Sequence, residues 1–437
     1  MDLPPAAERG FSFADPFAAG LLFLGIAIFA AIGALSHERE RAFSASLVYL
    51  GLGLAAAVAI EIIDIAWVDP VADASLVEHV TELAVIIALF GTGMKLERPL
   101  KGPAWGSVVR LLAITMPLTI GAVVLFGTGV MGLSLGAAIA LGAILAPTDP
   151  VLAGDIGVGP PGQEDAHESN FSVTGEAGLN DGLAFPFLFL GLFVLDPGGT
   201  SWLGEWLLAD VLFAIVVGAA IGAAVGFGIG LAAVKLRERE LFASVFDPWL
   251  AIPAVLAIYG LTEFAGAYGF IAAFAGGLAF RRYERDHEYN RRAHEGAEVA
   301  EKLSELAVVL LLGSMISVSG LGEPGLAGWL LVAALLLVMR PAAVAITFVG
   351  SGLPARQRAF LGWFGVRGVG SLFYAAAAVG SGYLTGSEAT IVTWTAVAAV
   401  VVSIVAHGVT ATPLSRRLLP DGALTPGIAS REDQTPG

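Results

Sequence analysis

Polar residues interrupt this chain only at intervals, and between the interruptions run apolar stretches of about 20 residues, the length that spans a bilayer as helix. They fall near 17–35, 45–67, 78–95, 107–129, 132–156, 170–195, 208–236, 247–262, 264–281, 303–319, 325–350, 356–382 and 388–415. The pattern predicts an all-α polytopic membrane protein of about 13 transmembrane helices. The two shorter stretches within 247–281 also fit one re-entrant pair.

Basic residues test the spacing. If spans alternate, all but three of the 23 Lys and Arg fall on one side of the membrane. Arg9 falls on the other side, and Arg340 and Arg367 lie inside spans. Basic loops stay cytoplasmic, so the N-terminus is expected outside and the C-terminus inside. The polar, Pro-rich residues 1–16 lack the basic start of a cleaved signal, so the first apolar stretch reads as a retained span. Residues 17–417 form the expected membrane domain, and 418–437 read as a short disordered tail.

Two stretches carry helix breakers at their centres. The fifth reads GLSLGAAIALGAILAPTDPVLAGDI, with Pro147 and Pro150 around Thr148 and Asp149. The twelfth reads RQRAFLGWFGVRGVGSLFYAAAAVG, where Gly362, Gly365, Gly368 and Gly370 crowd Arg367. Proline removes an amide donor and glycine weakens a helix interior, so both spans should unwind there. Irregular backbone at membrane depth belongs where protein or a watery cavity receives it. Breaks at matched places predict inverted repeats, about 17–195 and 247–415, with discontinuous helices crossing at a binding site.

The stretch NFSVTGEAGLNDGLAFPFLFLGLFVL, between the breaks, holds Glu176, Asn180 and Asp181. Glu176 and Asn180 share a helix face, with Asp181 on its flank. A carboxylate in hydrocarbon costs at least a few kcal/mol and marks a functional position by default. Unwound carbonyls, carboxylates and a Thr hydroxyl are the oxygen ligands a hard monovalent cation needs. The bland reading of Asp149 and Asp181, acids locked to arginines, is the weaker one; for Glu176, Arg340 and Arg367 the structural reading is preferred. Glu82, His407 and Asp247 read as satisfied or interfacial groups, Glu61 and Asp64 as a solvated rim, and the run Arg281–Arg292 as a solvated loop.

Composition narrows the classes. The chain has 437 residues, 56% hydrophobic, 14% charged and no cysteine, which leaves no disulfide or thiolate chemistry. A net charge of −15 argues against nucleic acid as a partner. No Ser/His or paired-Asp protease pattern falls at matched depth, so an enzyme is not expected.

The segments APTDPV, GEAGLNDG and GVRGVGS, in that order, resemble the signature segments of monovalent cation:proton antiporters, specifically the NhaP-type sodium/proton group. The resemblance implies that Asp181 carries cation and proton alternately. It places Asp149 and Thr148 in the ion site, where Asn180 ties the Thr148 backbone to the sixth helix. It pairs Glu176 with Arg340 and faces Arg367 toward Asp149. An Asn-Asp pair with one titrating carrier implies electroneutral exchange of Na⁺ or Li⁺ for H⁺, the ions being substrates and no cofactor being needed. It also implies a homodimer in the inner membrane. Where many relatives carry LFEAG, this chain has Leu89-Phe90-Gly91-Thr92-Gly93, so Thr92 and Thr174 become candidate substitute ligands. K⁺/H⁺ exchange on the same fold and a non-exchanging channel or sensor are the alternatives.

Overall fold

The computed structural model describes residues 16–36, 44–63, 67–100, 102–151, 156–159, 167–196, 201–241, 243–284 and 291–419. The expected N-terminal segment before residue 16, the tail beyond 419 and Asp64 lie outside them.

Every described regular element is helical. In chain order the main helices are α1 (Pro16–Ser36), α2 (Ala45–Ile63), α3 (Ala74–Lys95), α4 (Gly106–Gly129), α5 (Leu135–Leu145), α6 (Glu168–Leu195) and α7 (Leu203–Glu238). Then follow α8 (Ala251–Phe264), α9 (Gly269–Glu284), α10 (Arg291–Met315), α11 (Gly325–Thr347), α12 (Ala355–Trp363), α13 (Val369–Gly380) and α14 (Gly386–Leu418). Each predicted stretch holds helix. Among the described residues, seven helices are long and apolar enough to cross a membrane by length and composition, and shorter apolar helices accompany them.

The stretch 247–281 forms two helices, α8 and α9, matching the two apolar runs read there. Two expectations change. The tenth helix starts at Arg291, well before the apolar run at 303, because Ala293, Glu298 and Glu301 are good helix formers. Glu301 is buried against Lys95, so helix packing accommodates what hydropathy alone reads as a loop. The loop read at Arg281–Arg292 shrinks accordingly, since α9 and α10 extend into it, and Arg281 pairs with Glu97.

Two groups of helices pack side by side. α7 and α9 lie closest, with α3 against α9 and α2 against α10. Gly218, Gly222 and Gly226, four apart on α7, allow this contact; a Cβ on any of them would meet the backbone of α9 or of the adjoining Tyr268. In the second group α5 packs between α4 and α6, and α13 and α11 lie against α14. The seam between groups runs where α13 meets α3. Thr115 of α4 and Thr347 of α11 join hydroxyls at 2.8 Å, tying these two helices together.

Candidate functional site

Both expected breaks are present, and they cross. α5, capped at its start by the Ser134 hydroxyl, stops at Leu145, and residues 146–150 leave the helix. α12 stops at Trp363 and α13 starts at Val369, leaving 364–368 non-helical. The two unwound strands touch through the Asp149 amide, which donates to the Val366 carbonyl at 2.9 Å.

Each helix end at the crossing would leave orphan backbone groups and about half a unit charge in a low-dielectric interior. Side chains from the opposite strand meet both. The Asp149 carboxylate accepts from the Val369 amide at 2.6 Å, at the positive start of α13, and from the Val151 amide at 2.8 Å. The Arg367 guanidinium, fully buried, donates to the carbonyls of Ala146 and Pro147 at 3.1 and 3.0 Å, at the negative end of α5. Arg367 therefore meets carbonyls rather than the Asp149 carboxylate, a correction to the pairing inferred from resemblance. Its physical reason is that an uncapped helix C-terminus needs donors, while Asp149 is already engaged by amides.

α6 brings the remaining groups. The Asn180 amide donates to the Thr148 hydroxyl at 2.7 Å, so it grips the side chain and not the expected backbone. Glu176 and Arg340 form a bidentate pair at 2.5 and 2.7 Å, both buried, as the resemblance implied. Arg340 also donates to the Leu361 carbonyl at the end of α12, so the pair anchors three helices.

Asp181 differs from all of these. Its side chain is 0% exposed, and neither carboxylate oxygen has a hydrogen-bond partner among the described residues. Asn180 Oδ1, next to it in sequence, is likewise without one. Tyr374 of α13 donates to the Asp181 carbonyl, and a Cβ on Gly370 would collide with the carboxylate. A buried, unpaired carboxylate costs several kcal/mol unless a proton or cation meets it. The oxygens at hand, carboxylate, amide, hydroxyl and unwound carbonyl, fit a hard monovalent cation.

Sequence reading did not single out Tyr374, the sole aromatic hydroxyl of α13, or Ser403 of α14. A polar atom in an otherwise apolar run was the available signal for both. Thr174, a candidate ligand, is committed elsewhere: its hydroxyl accepts from the Val158 amide and donates to the Asn170 carbonyl, both at 3.0 Å. Thr92 is buried beside Gly178 of α6. Glu82 and Asp247 are satisfied, by Tyr259 and by Arg237 at 2.8 Å.

The chain is similar to known proteins over most of its length. The chain is 28% identical over 325 residues to the Na(+)/H(+) antiporter of Saccharomyces cerevisiae, covering 70% of this chain and 32% of that one. It is 27% identical to Na(+)/H(+) antiporter 2 of Zygosaccharomyces rouxii, covering 69% and 38%. The K(+)/H(+) antiporter NhaP of Alkalimonas amylolytica is 26% identical, over 77% and 56%. The chain thus spans about a third to just over half the length of these relatives. Its fold matches that of the sodium proton antiporter MjNhaP1 from Methanocaldococcus jannaschii, at TM-score 0.66 and 19% identity over 90% of this chain and 100% of the other. An electron-microscopy structure of the same antiporter gives 0.70 and 18% over 93% and 99%. With residues 17–417 matching the profile of the transmembrane sodium/hydrogen exchangers, the chain belongs to that transporter family.

Proposed function

We propose that the chain exchanges Na⁺ or Li⁺ for H⁺, one for one, with Asp181 as the shared carrier. The observation that carries this reading is the Asp181 carboxylate, wholly buried yet given no donor among the described residues. Deprotonated, it binds the cation with oxygens supplied by Thr148 and Asn180. Asp149, its oxygens accepting from two amides, contributes charge and holds the crossing. Glu176, Arg340 and Arg367 are structural: they neutralise one another or the helix ends. A proton arriving at Asp181 displaces the cation, so each form of the carrier moves one unit of charge and the cycle is electroneutral.

In this reading the protein sits in the inner membrane, N-terminus outside and C-terminus in the cytoplasm, as its basic residues favour. The halves 17–195 and 247–415 act as inverted repeats around the crossing, and two copies associate, which rests on the resemblance. K⁺ is the second reading, favoured by the similarity to a K(+)/H(+) antiporter over 77% of this chain.

The test is a pH gradient across proteoliposomes, read by a trapped dye. Addition of Na⁺ or Li⁺ should collapse it at a rate indifferent to an imposed voltage, and Asp181→Ala should be silent. A response to K⁺ alone changes the ion and keeps the site. An Asp181→Ala protein that exchanges like its parent removes the carrier assignment.

A further inference from the structure

The unwound segment 364–368 carries backbone groups that no helix satisfies, at a depth where each unpaired group is costly. α14 meets them with one row of polar side chains, Ser403, His407 and Thr410, spaced four and three apart on one face within VVSIVAHGVTA. Thr410 accepts from the Trp363 indole at 3.0 Å. His407 Nε2 lies 2.9 Å from the Trp363 carbonyl, and its Nδ1 lies 3.0 Å from the Ser403 hydroxyl and 2.9 Å from the Ser403 carbonyl. The Ser403 oxygen accepts from the Arg367 amide at 2.7 Å.

A carbonyl only accepts, and each ring nitrogen of His407 faces one, Nε2 that of Trp363 and Nδ1 that of Ser403. The Ser403 hydroxyl oxygen keeps a lone pair for the Arg367 amide whichever ring nitrogen carries hydrogen. Through Ser403 and His407, α14 thus meets both ends of the unwound segment. Between those contacts, Val366 supplies the carbonyl that holds Asp149, and Arg367 supplies the guanidinium that caps α5.

We infer that Ser403 and His407 are positioning residues for the ion site: they set the register of residues 364–368 and, through Val366 and Arg367, the placement of Thr148 and Asp149. Neither touches the transported ion. Their loss loosens the crossing and lowers cation affinity, while the carrier Asp181 remains able to cycle. The inference rests on the exchange reading given above.

The experiment measures exchange against Na⁺ concentration in proteoliposomes for Ser403→Ala, His407→Phe and His407→Gln, with Asp181→Ala alongside. Losing a buried neutral hydrogen bond should raise the half-saturating Na⁺ about tenfold in Ser403→Ala and His407→Phe. The maximal rate should fall far less. His407→Gln retains an N–H for the Trp363 carbonyl and should restore most of the affinity. A parent-like half-saturation in Ser403→Ala overturns the inference, even if His407→Phe fails to fold. So does a His407→Gln protein as weak as His407→Phe. Exchange by Asp181→Ala would instead remove the underlying carrier reading, whatever the other variants do.

Discussion

Two buried acids on one helix, a turn and a residue apart, have opposite fates. Glu176 meets a bidentate guanidinium and Asp181 meets none. Removing one member of a buried ion pair strands the other, at a cost of about 3–5 kcal/mol. Arg340→Ala should therefore lower the thermal midpoint in detergent sharply, and Arg340→Met with Glu176→Leu should recover most of it. Equal loss in the single and double variants would mean the pair itself is not what matters. Asp181→Asn goes the other way: it replaces a buried charge with a neutral amide, so the midpoint should hold or rise while exchange disappears. A fall of several degrees would place Asp181 in the scaffold instead. Sequence alone identified these acids because a charge in an apolar run is conspicuous. It had no means of telling which one owns a counter-charge, since Arg340 lies 164 residues from Glu176.

At the scale of elements, prolines and glycines announced the breaks, and the structure explains where each helix stops. α4 and α11 each widen by one turn just before a proline, at Leu111–Thr115 ahead of Pro117 and at Leu335–Met339 ahead of Pro341. A proline without its amide cannot continue the regular ladder, and a wider turn absorbs the mismatch. The glycines after Arg367 serve a different end. A Cβ on Gly368 would collide with the Asp149 carboxylate, and one on Gly370 with that of Asp181. Gly368→Ala and Gly370→Ala should each abolish exchange in well-expressed protein, whereas Gly121→Ala, in open space on α4, should exchange normally. Parent-like exchange by Gly370→Ala would show that α13 does not press on the carrier. The glycines were legible as helix breakers; that they make room for carboxylates was not, because the partners arrive from other helices.

For the whole molecule, the proposed exchange cycle predicts a pH signature. Protons occupy the carrier at low pH and become scarce as the driving substrate at high pH, so the rate at fixed Na⁺ should pass through a maximum. A rate rising steadily over several pH units at saturating cation on both sides would contradict competition at one carboxylate. Orientation has its own test, made clean by the absence of cysteine. Ser201 and Glu238 are exposed at opposite ends of α7. An impermeant maleimide applied to intact cells should label Ser201→Cys and spare Glu238→Cys. The reverse pattern would invert the topology derived from the basic loops.

The sequence by itself determined the class of molecule, the helical stretches, the two breaks and the polar residues that the structure gathers at the crossing. Those follow from local physics: bilayer thickness sets helix length, hydrocarbon penalises charge, and Pro and Gly disrupt helices wherever they occur. Where the tenth helix begins was misread for the same reason, because hydropathy does not register acids that packing accommodates. Only the tertiary structure decided that Arg367 caps α5 rather than facing Asp149, that Asn180 grips the Thr148 hydroxyl, and that Ser403 and His407 hold the unwound strand. Such choices depend on which orphan donors and acceptors are brought within about 3 Å of one another, and hydrogen bonding at that range is a property of the assembled helices.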